Sequence, residues 1–180
     1  MNHFILTATG PDIPDIEEQL CNSVTQHHGH TIESNMSHMG GHFTGMMLFH
    51  IESQHTSALK NALKGVEQSG VHVEIEPSHA KETSNNTIAI NVIADNSPEL
   101  LSDIARILTE KHIRLGAVHT DTLSAPYTGE PLQRIQAKLF YPIDTSLDSI
   151  QASLESISPE LMVEFLPSTE QGVTPQQHPA

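Results

Sequence analysis

Residues 4–24 read FILTATGPDIPDIEEQLCNSV, and residues 88–108 read IAINVIADNSPELLSDIARIL. The two stretches carry one pattern. Phe4, Leu6 and Ala8 alternate as Ile88, Ile90 and Val92 do 84 residues later, the period-two signature of a strand with one buried face. Ile16, Leu20 and Val24 then recur at helical spacing, and Leu100, Ile104 and Leu108 repeat them at the same offset. Farther on, Leu59, Leu63 and Val66 match Ile150, Leu154 and Ile157, and Val71, Val73 and Ile75 match Leu161, Val163 and Phe165. A repeat of this length decides the architecture ahead of any single residue. It divides the 180 residues into two units, each of a size that buries only a thin core and gains from packing on a twin.

Within the first copy, residues 3–9 read as a strand and Gly10 to Asp15 as a loop into a helix, with Pro14 suited to the first helical turn. The helix runs to about His28, and Gly29 is expected to stop it. Thr31 to Met39 and His42 to Glu52 read as strands joined by Gly40-Gly41, a hairpin signal because glycine tolerates positive φ. A second helix covers 55–68, ends near Gly70, and is followed by a closing strand at 71–76.

The second copy repeats this order. Asp95-Asn96-Ser97-Pro98 forms its first loop, with Ser97 as expected N-cap and Pro98 as first helical residue. Its helix runs to about Lys111. Strands follow near 113–122 and 132–141 around a longer loop through Pro126, Gly129 and Pro131. A helix at about 145–157 and a strand at 161–166 complete it.

The order β-α-β-β-α-β, taken twice, defines an α+β fold. It consists of two tandem ferredoxin-like units, each an antiparallel four-stranded sheet with both helices on one face. The expected boundaries are 1–78 for the first domain, 79–86 for a polar linker, 87–167 for the second domain and 168–180 for a tail. The tail, rich in Gln and Pro, is expected to be disordered.

Composition excludes several functions. Eight basic and 22 acidic side chains give a net charge of −14. Such a surface repels phosphate backbones, and no basic run supplies a nucleic-acid stripe. Cys21 is the single cysteine, so neither a disulfide nor a cysteine metal motif can form within the chain. No stretch approaches the ~18 apolar residues of a membrane span, and Met1 to Ala8 lacks a signal-peptide pattern. A soluble, cytoplasmic protein is expected.

The βαββαβ unit hosts many functions, so the site needs its own argument. An RNA-recognition module would need stacking aromatics and basic surroundings, yet Phe43 is the only suitable aromatic. A copper chaperone would need two cysteines in the first loop. Acyl-phosphate hydrolysis would want an arginine there, and residues 10–15 contain no basic side chain. No nucleophile motif, glycine-rich phosphate loop or distinct carboxylate pair marks a catalytic site, so the chain reads as no enzyme, without cofactor.

Gly10-Pro11-Asp12-Ile13-Pro14-Asp15-Ile16 resembles the corresponding loop of ACT domains, which are amino-acid-sensing modules. Gly10, Asp12, Pro14 and Ile16 match that pattern, while Ile13 replaces the usual arginine and Asp15 the usual glycine. In the second copy Asp95, Pro98 and Leu100 fit more loosely. The two units together, the longer loop of the second and the polar tail resemble the glycine cleavage system transcriptional repressor family over about residues 3–166. Thr31-Ile32-Glu33-Ser34, Gly40-Gly41-His42-Phe43-Thr44 and Met46-Met47-Leu48 add to the likeness.

The resemblance implies a sensor of glycine or a related amino acid. It further implies a repressor of the glycine cleavage system that restrains a LysR-type DNA-binding activator rather than touching DNA. The alternative is an amino-acid-binding regulator acting directly on a metabolic enzyme. Self-association into a homodimer stays open.

The expected ligand-binding residues are Gly10, Pro11, Asp12, Ile13 and Pro14, with Asp95, Asn96 and Ser97 in the second copy. The site is expected where a loop of one unit meets strands of the other. A helix N-terminus suits an amino-acid carboxylate. Asp12 or Asp95 would meet the ammonium group, and Gly10 would let backbone approach the ligand. Against this, Asp15 and Glu99 place carboxylates where they satisfy the helix dipole and repel a ligand carboxylate.

Thirteen histidines are the compositional oddity. His38 and His42 flank the Gly40-Gly41 turn and are candidates to approach one another. Yet no helical His-x-x-x-His pair is present, so solvated surface histidines and no metal site are expected. Met46, Met47 and Leu48 read as core on one strand face and inter-unit contact on the other. Gly45 reads as a bulge or a close backbone approach, and Cys21 as a free, semi-buried thiol.

Overall fold

The computed structural model describes residues 2–78 and 86–166. The chain forms two compact units. The first comprises β1 (Asn2–Pro11), α1 (Ile16–Gln26), β2 (His30–Met39), β3 (His42–Ile51), α2 (Ser53–Glu67) and β4 (His72–Pro77). The second comprises β5 (Asn86–Asp95), α3 (Leu100–Glu110), β6 (Arg114–Ser124), β7 (Pro131–Tyr141), α4 (Leu147–Glu155) and β8 (Met162–Leu166). Each sheet is antiparallel, ordered β2-β3-β1-β4 and β6-β7-β5-β8. Asn86, expected in the linker, already pairs with Tyr141. The rest of that linker and the expected tail lie outside the described residues.

The repeat survives in detail. β1 and β5 have equal length, as do α1 and α3, and each pair is offset by 84 residues. Ile16, Leu20 and Val24 are buried in one unit, and Leu100, Ile104 and Leu108 in the other. One face of each sheet supplies the remaining core. In the first unit Leu6, Ala8, Phe43, Met47, Phe49 and Ile51 join Leu59, Leu63 and Val66 of α2 in a single cluster. Since strand and helix residues share that cluster, both helices cover the same sheet face. Leu20 is fully buried, so Leu20→Ala would cost about 2–5 kcal/mol through the lost burial and the cavity left behind.

Several local expectations are corrected. Pro14 stands before the helix rather than in its first turn, because Asp15 takes a left-handed conformation (φ 62°) and α1 starts at Ile16. The residue that stops α1 is His28, at φ 61°. Gly29 has a different duty: a Cβ there would meet Val24 Cγ1 at 2.6 Å. α3 starts at Leu100, after Glu99 rather than after Ser97. Ser97 still serves that end, its Oγ accepting from the Glu99 N–H at 3.4 Å and its carbonyl from the Leu100 N–H at 3.2 Å.

Gly40 and Gly41 both hold positive φ, 58° and 78°, as a two-residue type I′ turn requires. The register shift in this hairpin falls at Thr31/Glu33 in β2 and not at Gly45. Gly45 marks a close approach of side chains, Phe43 and Met36, rather than of another backbone. Met47 is buried and Met46 exposed, as alternation demands. Cys21 is free and exposed rather than semi-buried, since it points away from the core that Leu20 enters.

Candidate functional site

The loop between β1 and α1 is held by three attachments. Gly10 and Pro11 end β1, paired with Phe43 and His42 of β3. The Asp12 N–H then donates to the Gly41 carbonyl at 3.0 Å, tying the loop to the hairpin turn. Ile13 packs half-buried against the core, while Pro14 and Asp15 are exposed. Gly10 is needed for closeness within the unit: a Cβ there would meet Val71 Cα at 2.7 Å and the Gly70 oxygen at 2.9 Å. Gly10 therefore lets the backbone of Gly70 and Val71, just ahead of β4, come close to β1.

The third attachment is His38. Its Nδ1 lies 2.9 Å from Asp12 Oδ1 and its Nε2 2.5 Å from Glu17 Oε1. Strand alternation explains the placement. His38 stands opposite buried Phe43 and so shares the helix-covered face, where its ring lies 5.2 Å from that of Phe43. His42 stands opposite Met39 on the other face. The expected His38–His42 approach is thus excluded by period two, and His38 turns to the loop and the first turn of α1 instead.

This bridge is electrostatically biased. The hydrogen bonds to Glu17 and then to Asp12 raise the His38 pKa, favouring the imidazolium. The Glu17 carboxyl is held below its ordinary range by its own backbone N–H and then by His38. Both contacts are over a third exposed, so solvent screening limits each to about 0.2–1 kcal/mol. Asp15 makes no side-chain cap. Glu17, in the first turn of α1, interacts with its own backbone N–H, and a carboxylate at a helix start is favoured by the helix dipole.

The second loop is built differently. The 84-residue offset puts Asp95 at the place of Pro11, and Asn96 at the place of Asp12. Asp95 is the last residue of β5, opposite Leu132. It is exposed and faces Glu160, whose carboxyl is pushed up by a hydrogen bond shared with Asp95. Asn96 is exposed, and the Ser97 hydroxyl donates to Glu99 Oε2 at 2.9 Å. Among the described residues no group of three metal-ligating side chains converges in either unit. Two open clefts of about 420 Å³ lie elsewhere in the second unit. One runs between α3 and α4, past Arg106, Lys111 and Ser153, and the other lies beside His112 and Arg114.

The sequence offers His42 as the neighbour of His38 and carries no signal that pairs it with its actual partners, Asp12 and Glu17. The His38 contact with Asp12 spans 26 residues, and only the combined register of β1, β2 and β3 brings them together. Glu17 had a local signal, an acidic first turn, but nothing in the sequence singles it out from Glu18.

A doubled βαββαβ order with a helix-start loop closed by its own side chains defines a class by architecture, the tandem ferredoxin-like proteins. Residues 2–76 match the family model of the ACT domain. The first unit is thus similar to the ACT domain, and the second repeats its strand order. The fold extends over nearly the whole of two solved structures. An unknown protein from Galdieria sulphuraria is 18% identical, with 91% of this chain and 96% of that one covered and a TM-score of 0.72. A protein described as a "putative glycine cleavage system transcriptional repressor" is 19% identical, with 92% and 97% covered and a TM-score of 0.67. The resemblance read from the loops is therefore met at the level of fold. No curated protein matches the chain. No helix among the described residues is long and apolar enough to cross a membrane.

Proposed function

We propose that the protein is a non-enzymatic regulator that senses an amino acid, glycine in the first instance, and represses the glycine cleavage system. It does so by binding a LysR-type activator rather than DNA. The observation that carries this reading is the pair of ACT-like units matched along almost its full length by a protein described as such a repressor. The net charge of −14 suits a basic protein partner and opposes direct DNA binding.

In this reading the first loop is the sensor. Asp12 meets the ligand ammonium after release from His38, and the N–H groups at the start of α1 meet the carboxylate in place of Glu17. Ligand and internal bridge then compete, and that competition gives the differential affinity any population shift needs. Asn96, Ser97 and Asp95 form the corresponding place in the second unit, where the facing Glu160 favours an ammonium over a carboxylate.

A pull-down of purified LysR-type activator by the full chain, with and without glycine, tests the function. Glycine-dependent capture, with no shift of operator DNA by the chain alone, is the expected result. Absence of capture, with capture of a metabolic enzyme instead, would favour the alternative of direct enzyme regulation.

A further inference from the structure

The register of the first sheet places three histidines in one cross-strand row. His3 stands opposite His50 and His30 stands opposite His50, so all three side chains leave the same side of β1, β3 and β2. This is the face away from the core, because it alternates with buried Phe49 and Ile51. The His30 and His50 rings are 4.8 Å apart and the His3 and His50 rings 6.4 Å. Among the described residues no hydrogen bond or ion pair engages the three imidazoles, so their ring nitrogens are uncommitted. The same face carries Glu33, Glu74 and Glu76, and none of the four strands contains Lys or Arg. Nothing in the sheet repels a cation, and the surrounding negative charge attracts one.

We infer that the His3–His50–His30 row binds one borderline divalent transition-metal ion of the zinc, nickel or copper class through its imidazoles. Neutral imidazole is a natural ligand for these ions. Zinc–nitrogen bonds of about 2.0–2.1 Å bring neighbouring ring nitrogens far closer than directly opposed strand positions hold their Cβ atoms, about 4.5–5.5 Å apart. The rings must therefore lean together over His50. As they stand, His30 and His50 stack instead of converging, so binding turns the imidazoles about their side-chain bonds without moving the strands. The outer two columns lie about 9–10 Å apart, two inter-strand spacings, which two imidazoles reaching inward can span. Water fills the remaining position on the metal. The site is remote in role from the loop bridge, since His38 leaves the opposite sheet face.

The test is a zinc titration of the full, tag-free chain by calorimetry, with imidazole NMR to assign the ligands. One zinc per chain is expected. Losing an outer-shell partner of a metal ligand costs about 10–100-fold in affinity, so His50→Ala, His3→Ala and His30→Ala should each weaken binding at least about tenfold. His72→Ala, on the same face but outside the row, should leave it unchanged. His3 and His30 are exposed, so their variants keep the test standing if His50→Ala does not fold. No saturable zinc binding, equal weakening by His72→Ala, or binding lost only in His38→Ala would each overturn the assignment.

Discussion

His28 and His112, 84 residues apart, hold the same left-handed backbone, with φ of 61° and 59°. Each ends the first helix of its unit. The residue that follows each, Gly29 or Ile113, donates its N–H to the carbonyl of Val24 or Leu108. The duplication therefore extends to the helix stop, where a side-chain-bearing residue occupies a conformation glycine would adopt without strain.

This relationship gives a stability prediction. His112→Gly should stabilise the chain by about 0.5–1 kcal/mol, because the Cβ penalty in the left-handed region exceeds glycine's extra unfolded-state entropy. Urea unfolding followed by circular dichroism checks it. His28→Gly should gain less, since it also loses the contact with His55, whose ring lies 4.7 Å away.

Gly10→Ala should destabilise. The new Cβ would sit 2.7 Å from Val71 Cα and 2.9 Å from the Gly70 oxygen, and backbone atoms cannot yield as a side-chain tip can. A loss of about 1–3 kcal/mol is expected for such overpacking. Gly65→Ala, in the interior of α2 with nothing within 4 Å of the new Cβ, should instead gain about 0.5–1 kcal/mol. The two variants measured side by side in urea separate close approach from a general glycine effect.

The His38 bridge makes a pH prediction. Its folded pKa is raised, so its contribution is complete below the ordinary histidine value of about 6.5 and is lost as pH rises through the folded value. The Glu17 pKa is lowered, so its contribution is complete above about 4.5 and is lost as pH falls through the folded value. The stability gap between wild type and His38→Ala should therefore be widest between about pH 4.5 and 6.5 and shrink as the pH rises through the raised His38 value. In NMR titrations the His38 midpoint should exceed about 6.5 and fall toward it in Glu17→Gln. An unchanged midpoint in that variant would remove Glu17 from the bridge.

Most of the fold was legible because its causes are local. Alternation at Phe4, Leu6 and Ala8 and helical spacing at Ile16, Leu20 and Val24 place each residue relative to its near neighbours, and the repeat supplies the same answer twice. Gly40-Gly41 declared its turn through the φ values glycine alone takes cheaply. The misreadings at Pro14 and Gly29 arose where Asp15 and His28 adopt left-handed conformations that propensity assigns to other residues. The site was less legible. Asp12 lay within the expected loop, but its partner is fixed by the pairing of three strands, and sequence distance hides such contacts. Residue type pairs Asp95 with Asp12, whereas the equal spans of β1 and β5 put it at the place of Pro11.

The central claim is that the first loop binds an amino acid in competition with its own bridge. Calorimetric titration of glycine into the full chain, its Glu17→Ala variant and its Asp12→Ala variant tests it most directly. The account predicts saturable binding to the wild type, tighter binding to Glu17→Ala and loss of binding in Asp12→Ala. No heat of binding at millimolar glycine in either the wild type or Glu17→Ala would contradict it.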